Sequence, residues 1–155
     1  MTERLVDSIT VIIASVLPYI ELRGAIPLAW KLGFSPLEAF FLAVFGNMLP
    51  VIPILVLLEP VLKWFSRIPF FKGFSEWILT RSRRQAPQVR KYGVWGLALF
   101  VSIPLPMTGA WSGALIAFIL GMRKRVAVLS IFLGVLTAGL IVTSFTFGLA
   151  YFFAR

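Results

Sequence analysis

The chain has 155 residues, of which 59% are hydrophobic and only 14% charged, where a soluble domain carries about a quarter charged; a single integral membrane domain over residues 1–155 is expected. It has no cysteine and no histidine, which excludes thiol nucleophiles, disulfides, zinc sites of the usual kind and imidazole acid–base chemistry. The net charge of +9 sits in basic runs between apolar segments with no nucleic-acid motif, so membrane lipid rather than nucleic acid is the expected partner.

Four apolar segments follow one another. The first, Leu5 to Trp30, has an acidic and basic start (Glu3, Arg4, Asp7) and no signal-peptide cleavage site. It is broken by Pro18-Tyr19-Ile20-Glu21-Leu22-Arg23-Gly24-Ala25-Ile26-Pro27. The second, Phe34 to Leu62, reads as a full span kinked at Pro50 and Pro53. The stretch 63–91 interleaves basic residues with Trp64, Phe70, Phe74 and Trp77; it reads either as an amphipathic element on the cytoplasmic leaflet or as a solvated connector. The third segment, Tyr92 to Leu120, is broken at Ile103-Pro104-Leu105-Pro106-Met107-Thr108-Gly109-Ala110. The fourth, Val126 to Phe153, is a full span rich in small residues, Gly134, Ala138, Gly139 and Gly148 among them, that let helices approach closely in lipid.

Closely spaced prolines cannot continue a helix, so segments one and three each divide into two runs too short to cross a ~30 Å hydrocarbon core. Non-helical backbone at that depth is tolerated only inside protein or beside a wet cavity. The halves also match: Leu32-Gly33 and Phe45-Gly46 mirror Leu120-Gly121 and Leu133-Gly134 at equal separation, and Gly24-Ala25 mirrors Gly109-Ala110. The expected organisation is a first repeat over 1–62, a basic linker over 63–91 and a second repeat over 92–155.

Charge selects the topology. If all four segments spanned, the stretch 63–91 and Arg123-Lys124-Arg125 would lie on opposite faces, against the positive-inside rule. If segments one and three are re-entrant hairpins, both basic groups share the cytoplasmic face, with Arg23 inside the membrane. Each half then makes one net crossing, so the halves are inverted. The expected fold class is all-α integral membrane, with two inverted repeats, each a re-entrant helical hairpin plus a transmembrane helix.

The chemistry concentrates at the breaks. An ionisable residue at the bilayer centre costs roughly 2.5–3.5 kcal/mol on insertion scales, so Glu21 and Arg23 require a partner or a ligand. Arg23 is read as binding an anion, with Glu21 pairing to it or taking up a proton; the alternative is an internal ion pair that pins the hairpin. Helices are expected to restart after Gly24 and after Gly109, presenting unpaired N–H groups and a positive dipole end to an anion. Thr108 is placed as an N-cap and Pro27 in the first turn of the restarted helix. Pro104, Pro106 and Trp111 complete the second break, with Trp111 read as site lining or packing. Asn47 is read as bonding a tip or ligand, or as helix–helix glue. Ser102 and Ser112 have no accompanying base, and there is no Gly-rich phosphate loop or metal cluster, so neither catalysis, a metal nor a cofactor is expected.

Glu21-Leu22-Arg23-Gly24-Ala25-Ile26-Pro27 and Pro104-Leu105-Pro106-Met107-Thr108-Gly109-Ala110-Trp111 resemble the paired motifs of the small multidrug export proteins of bacteria and archaea, over nearly the whole chain. That family is similar to the wider DedA and VTT membrane proteins, and the resemblance implies a DedA-like fold of two inverted hairpins, each packed on a spanning helix. It also implies movement of polyprenyl-phosphate carrier lipids or phospholipids across the membrane. Glu21 and Arg23 match the hairpin acid and arginine of those proteins, whereas the second hairpin lacks their arginine.

The expected function is therefore a transporter or flippase of an anionic amphiphile such as a lipid-linked phosphate, with proton coupling through Glu21. A proton-coupled exporter of lipophilic cations is the alternative, and a non-transporting membrane-organising protein the third reading. The expected location is the plasma or inner membrane, multi-pass, with a cytoplasmic linker, as a homo-oligomer, a dimer.

Overall fold

The computed structural model describes residues 2–68, 72–74, 76–77, 80, 93–104 and 108–153. Among them the secondary structure is entirely helical: α1 (Thr2–Val16), α2 (Glu21–Lys31), α3 (Pro36–Met48), α4 (Val51–Phe65), α5 (Gly93–Ser102), α6 (Ala110–Ile119) and α7 (Lys124–Phe153). The breaks expected in segments one and three separate α1 from α2 and α5 from α6.

Two stretches are long and apolar enough to cross a membrane, Pro36–Phe65 with 30 residues and Lys124–Phe152 with 29. At 1.5 Å per residue each reaches about 45 Å, beyond the ~30 Å hydrocarbon core. By contrast α1, α2, α5 and α6 have 15, 11, 10 and 10 residues, none of them enough to cross alone. The first long stretch is interrupted at Leu49 and Pro50, between α3 and α4. There Pro50 and Pro53 lack the N–H groups that would carry the ladder through.

Local chemistry sets the helix ends. Pro36 opens α3 behind Ser35, whose hydroxyl accepts the Glu38 N–H while the Glu38 carboxylate accepts the Ser35 N–H at 2.9 Å. Helices α2 and α6 end alike. Gly33 has φ +79° and Gly121 φ +64°. The Gly33 N–H bonds the Trp30 carbonyl and the Phe34 N–H the Ala29 carbonyl; Gly121 and Met122 bond Phe118 and Ala117 in the same way. Both are Schellman ends, in which the left-handed position falls to glycine for want of a Cβ.

Packing follows the small residues. Ala25, Ala29, Ala39, Ala43, Ala110, Ala114, Ala127 and Ala138 are all buried, so backbones meet closely. Helix α1 packs on α2 and α3, and α5 packs on α6 and α7. Helix α2 also touches α7, α6 also touches α4, and α3 lies against α7. The side chains of Phe41, Phe45, Trp95, Leu99, Phe145 and Phe152 are exposed on the outside. That is the inverse of a soluble protein, as a lipid-facing surface requires.

Arg4 pairs with Glu38 at 3.3 Å and lies 5.9 Å from the Phe34 ring centroid. The start of α1 and the α2–α3 connection therefore occupy the same end of the molecule, and α1 and α2 double back on one another. At the far end of α4, Lys63 pairs with Glu59 at 2.8 Å. Trp64, Phe74 and Trp77 are exposed in the part of the basic stretch that is described.

The matched glycines Gly46 and Gly134 do matching work. A Cβ on Gly46 would lie 2.7 Å from the Ile12 carbonyl oxygen of α1, and one on Gly134 2.7 Å from the Ala98 carbonyl oxygen of α5. Gly148 has open space around it. Gly46→Ala and Gly134→Ala are each expected to destabilise by about 1–3 kcal/mol through overpacking. Gly148→Ala should instead gain up to about 1 kcal/mol from helix propensity. Thermal unfolding of the three variants in detergent micelles checks the contrast.

Candidate functional site at the helix breaks

Glu21 opens α2 with φ +48°, the one positive φ outside glycine among the described residues. Such a conformation costs on the order of 1–3 kcal/mol and persists where the surroundings impose it. The Glu21 N–H bonds the Leu17 carbonyl at 2.9 Å, and the Gly24 N–H bonds Ile20 at 3.0 Å. The helix thus restarts at Glu21 rather than after Gly24. Gly24 is an interior residue of α2, its vacant Cβ position filled by Ile20. Pro27 is the seventh residue of α2, not a first-turn residue; its ring leaves the Arg23 carbonyl without an i+4 donor. The mirror of Gly24 with Gly109 fails for the same reason, since Gly109 precedes its helix.

The Glu21 side chain crosses to the other break. It is 5% exposed, and its carboxylate lies directly against Gly109, where a Cβ would collide with it. The Trp111 backbone N–H acts on the same carboxylate. An acidic side chain from the first half therefore sits on the N-terminus of α6, where the exposed N–H groups and the dipole favour negative charge. Thr108 does not cap this helix. The N-cap is Gly109, whose N–H donates to Ser112 Oγ at 2.9 Å.

Arg23 reaches the same loop. Its Nη2 donates to the Thr108 carbonyl at 2.7 Å, to Thr108 Oγ1 at 3.0 Å and to the Ile103 carbonyl at 3.3 Å. Thr108 Oγ1 in turn donates to Ile103 at 2.7 Å. The Glu21 carboxylate lies 3.9 Å from Arg23, at the edge of an ion pair. The Arg23 side chain is 20% exposed, and its Nε is buried without a hydrogen-bond partner among the described residues. In the opposite direction, Trp111 Nε1 donates to the Val16 carbonyl at 2.8 Å. Each break is thus closed by a side chain of the other half, Arg23 at the end of α5 and Trp111 at the end of α1.

Glu21, Arg23, Thr108, Gly109 and Trp111 therefore meet in one cluster. Gly24 and Pro27 shape α2 behind it. Pro104 lies exposed at the start of the loop, and Pro106 falls outside the described residues. Asn47 is fully buried on α3, with neither end of its amide hydrogen-bonded among the described residues. Sequence reasoning weighed Ser112 only as a nucleophile without a base, and missed its bond with the Gly109 N–H and the carbonyls of Val16 and Ile103. The available signal was that a helix ending in apolar surroundings leaves carbonyls that some donor must satisfy. No group of three or more acidic or other metal-ligating side chains occurs among the described residues.

A sequence model of the family described as "Putative small multi-drug export protein" matches residues 21–141, beginning at Glu21 itself. No curated protein and no solved structure matches the chain.

The contact between Glu21 and Gly109 gives a direct check. Gly109→Ala is expected to destabilise the protein, and Glu21→Ala in the same chain to relieve the clash. The double-mutant cycle should be non-additive by about 1–3 kcal/mol in thermal or denaturant unfolding. Additive losses would separate the two residues.

Proposed function

Because the chain belongs to the family of small multi-drug export proteins, we propose that it is a membrane transporter of charged amphiphiles whose headgroup is exchanged at the Arg23–Glu21 centre. The substrate is an anionic amphiphile, a polyprenyl phosphate or a phospholipid, and transport is not enzymatic. One observation carries this reading: at the break between two short helices Arg23 has hydrogen-bonding capacity to spare, its Nε having no partner among the described residues and Glu21 lying only at 3.9 Å. A phosphate oxygen is the natural acceptor for that fork. Protonation of Glu21 then frees Arg23 for the headgroup and couples transport to a proton gradient.

The topology we infer is two inverted repeats with re-entrant hairpins, DedA-like, in the plasma or inner membrane. The basic linker faces the cytoplasm, and two copies form a dimer. Support comes from the alike ends of α2 and α6, the alike contacts of Gly46 and Gly134, and the Arg4–Glu38 pair that brings the start of α1 to the α2–α3 connection. A chain without cysteine suits single-cysteine labelling. Positions 4 and 33 are expected to label from outside the cell and position 67 from the cytoplasm. Labelling of 4 and 33 from opposite sides would make the first pair of helices a full crossing.

The family description itself favours a second reading, proton-coupled export of lipophilic cations held at Glu21. The measurement that separates the two is thermal stability of the wild type and Arg23→Ala with polyprenyl phosphate, neutral polyprenol and a lipophilic cation. A ligand that binds only the folded state raises apparent stability. Stabilisation by the phosphate alone, lost in Arg23→Ala, is the expected result; stabilisation by the cation would make Arg23 a structural partner of Glu21. Transport is expected to depend on pH and Glu21→Gln to flatten that dependence, whereas a flat wild-type profile would remove Glu21 from coupling.

A further inference from the structure

Asn47 carries a donor pair and an acceptor, is 0% exposed, and bonds nothing among the described residues. A buried amide left unsatisfied costs about 1–3 kcal/mol, and native structures hold few such groups. Its place in the fold is central. Asn47 continues the stripe of Phe40 and Val44, three residues beyond Val44 on the same helix face. Those two side chains fill the space beside Gly139 of α7, so Asn47 belongs to the seam between the two spanning stretches.

Depth follows from the turn. Helices α2 and α3 are packed neighbours joined by Leu32–Ser35, and so short a connection makes them antiparallel. Counting from that turn at 1.5 Å per residue, Glu21 lies about 15 Å, Arg23 about 12 Å and Asn47 about 17 Å along the axis. All three sit within one helical turn of a common level. At this level, on two neighbouring helices, Asn47 and the Arg23 Nε are buried polar groups without hydrogen-bond partners among the described residues.

Resting on the transport reading above, we propose that Asn47 is a further recognition residue of the transported headgroup, and that this headgroup is a singly protonated phosphate monoester. The unmet groups set that chemistry. Arg23 Nε and Asn47 Nδ2 need acceptors, whereas Asn47 Oδ1 needs a donor. A monoester with one hydroxyl and two further free oxygens supplies both kinds. A quaternary ammonium supplies neither, and an alcohol supplies one group where the site has three to satisfy.

The experiment is a thermal-shift titration of the full chain in detergent with a long-chain alkyl phosphate, the matching alcohol and the matching trimethylammonium. Wild type, Asn47→Leu, Asn47→Val and Thr143→Val are compared. Thr143 Oγ1 is a buried hydroxyl that likewise has no partner among the described residues, and it serves as the control. For Asn47→Leu the expected result is ligand-free stability equal to or above wild type, with apparent affinity for the alkyl phosphate weakened about tenfold or more, the loss of a hydrogen bond to a charged group. Thr143→Val should keep wild-type affinity. Unchanged affinity in both Asn47 variants overturns the proposal and leaves Asn47 a structural or water-binding group. A marked loss of ligand-free stability in both, with affinity kept, overturns it in favour of a structural role. An Asn47-dependent shift with the trimethylammonium overturns the phosphate chemistry. Absence of any shift in the wild type falls instead on the transport reading itself.

Discussion

Backbone that leaves the helix in apolar surroundings must find hydrogen-bond partners within the protein, and this one demand organises the molecule. Inside a membrane, an unmet backbone group at the end of α1 or α5 would cost several kcal/mol. The chain meets the demand by exchange. Trp111 serves Val16 and Arg23 serves Ile103 and Thr108, while the Glu21 carboxylate serves the N-terminus of α6. The breaks are therefore not four independent loose ends but one shared knot. The small residues that let α1 lie on Gly46 and α5 on Gly134 bring the helices near enough to tie it.

The charges at the knot have a double character. Within the membrane a lone carboxylate or guanidinium is expensive, yet neither Glu21 nor Arg23 is fully neutralised by the other at 3.9 Å. Most of what holds Glu21 is backbone, a helix end and a bare glycine. Most of what holds Arg23 is carbonyl and hydroxyl oxygen. Such neutral partners fix a charge in position without cancelling it.

Much of this architecture was legible in the sequence. The proline-rich motifs marked both breaks, and the hydropathy marked the two long spans. The Leu-Gly pairs marked helix ends that the fold realises with one hydrogen-bond pattern. Local pattern failed where tertiary contact decides. Gly24 looks like a turn glycine, but the turn falls at Glu21, a residue no propensity would place at positive φ, and its side chain lies against Gly109, eighty-eight residues away. Thr108 looks like a cap, but its hydroxyl is occupied by Arg23 and Ile103, and Ser112 takes over the Gly109 N–H. Asn47 read first as helix–helix glue and second as a site residue, and periodicity could not separate the two, because it reports which face a residue occupies, not what it meets there.

The partner that receives Arg23 lies eighty-five residues further along the chain. During synthesis the first two helices, each shorter than the bilayer is thick, emerge with a guanidinium and a carboxylate whose partners are not yet made. Those partners come only with α5, the loop at Thr108 and the start of α6, so the polar contacts of the first two helices close only once most of the second half of the chain has been made.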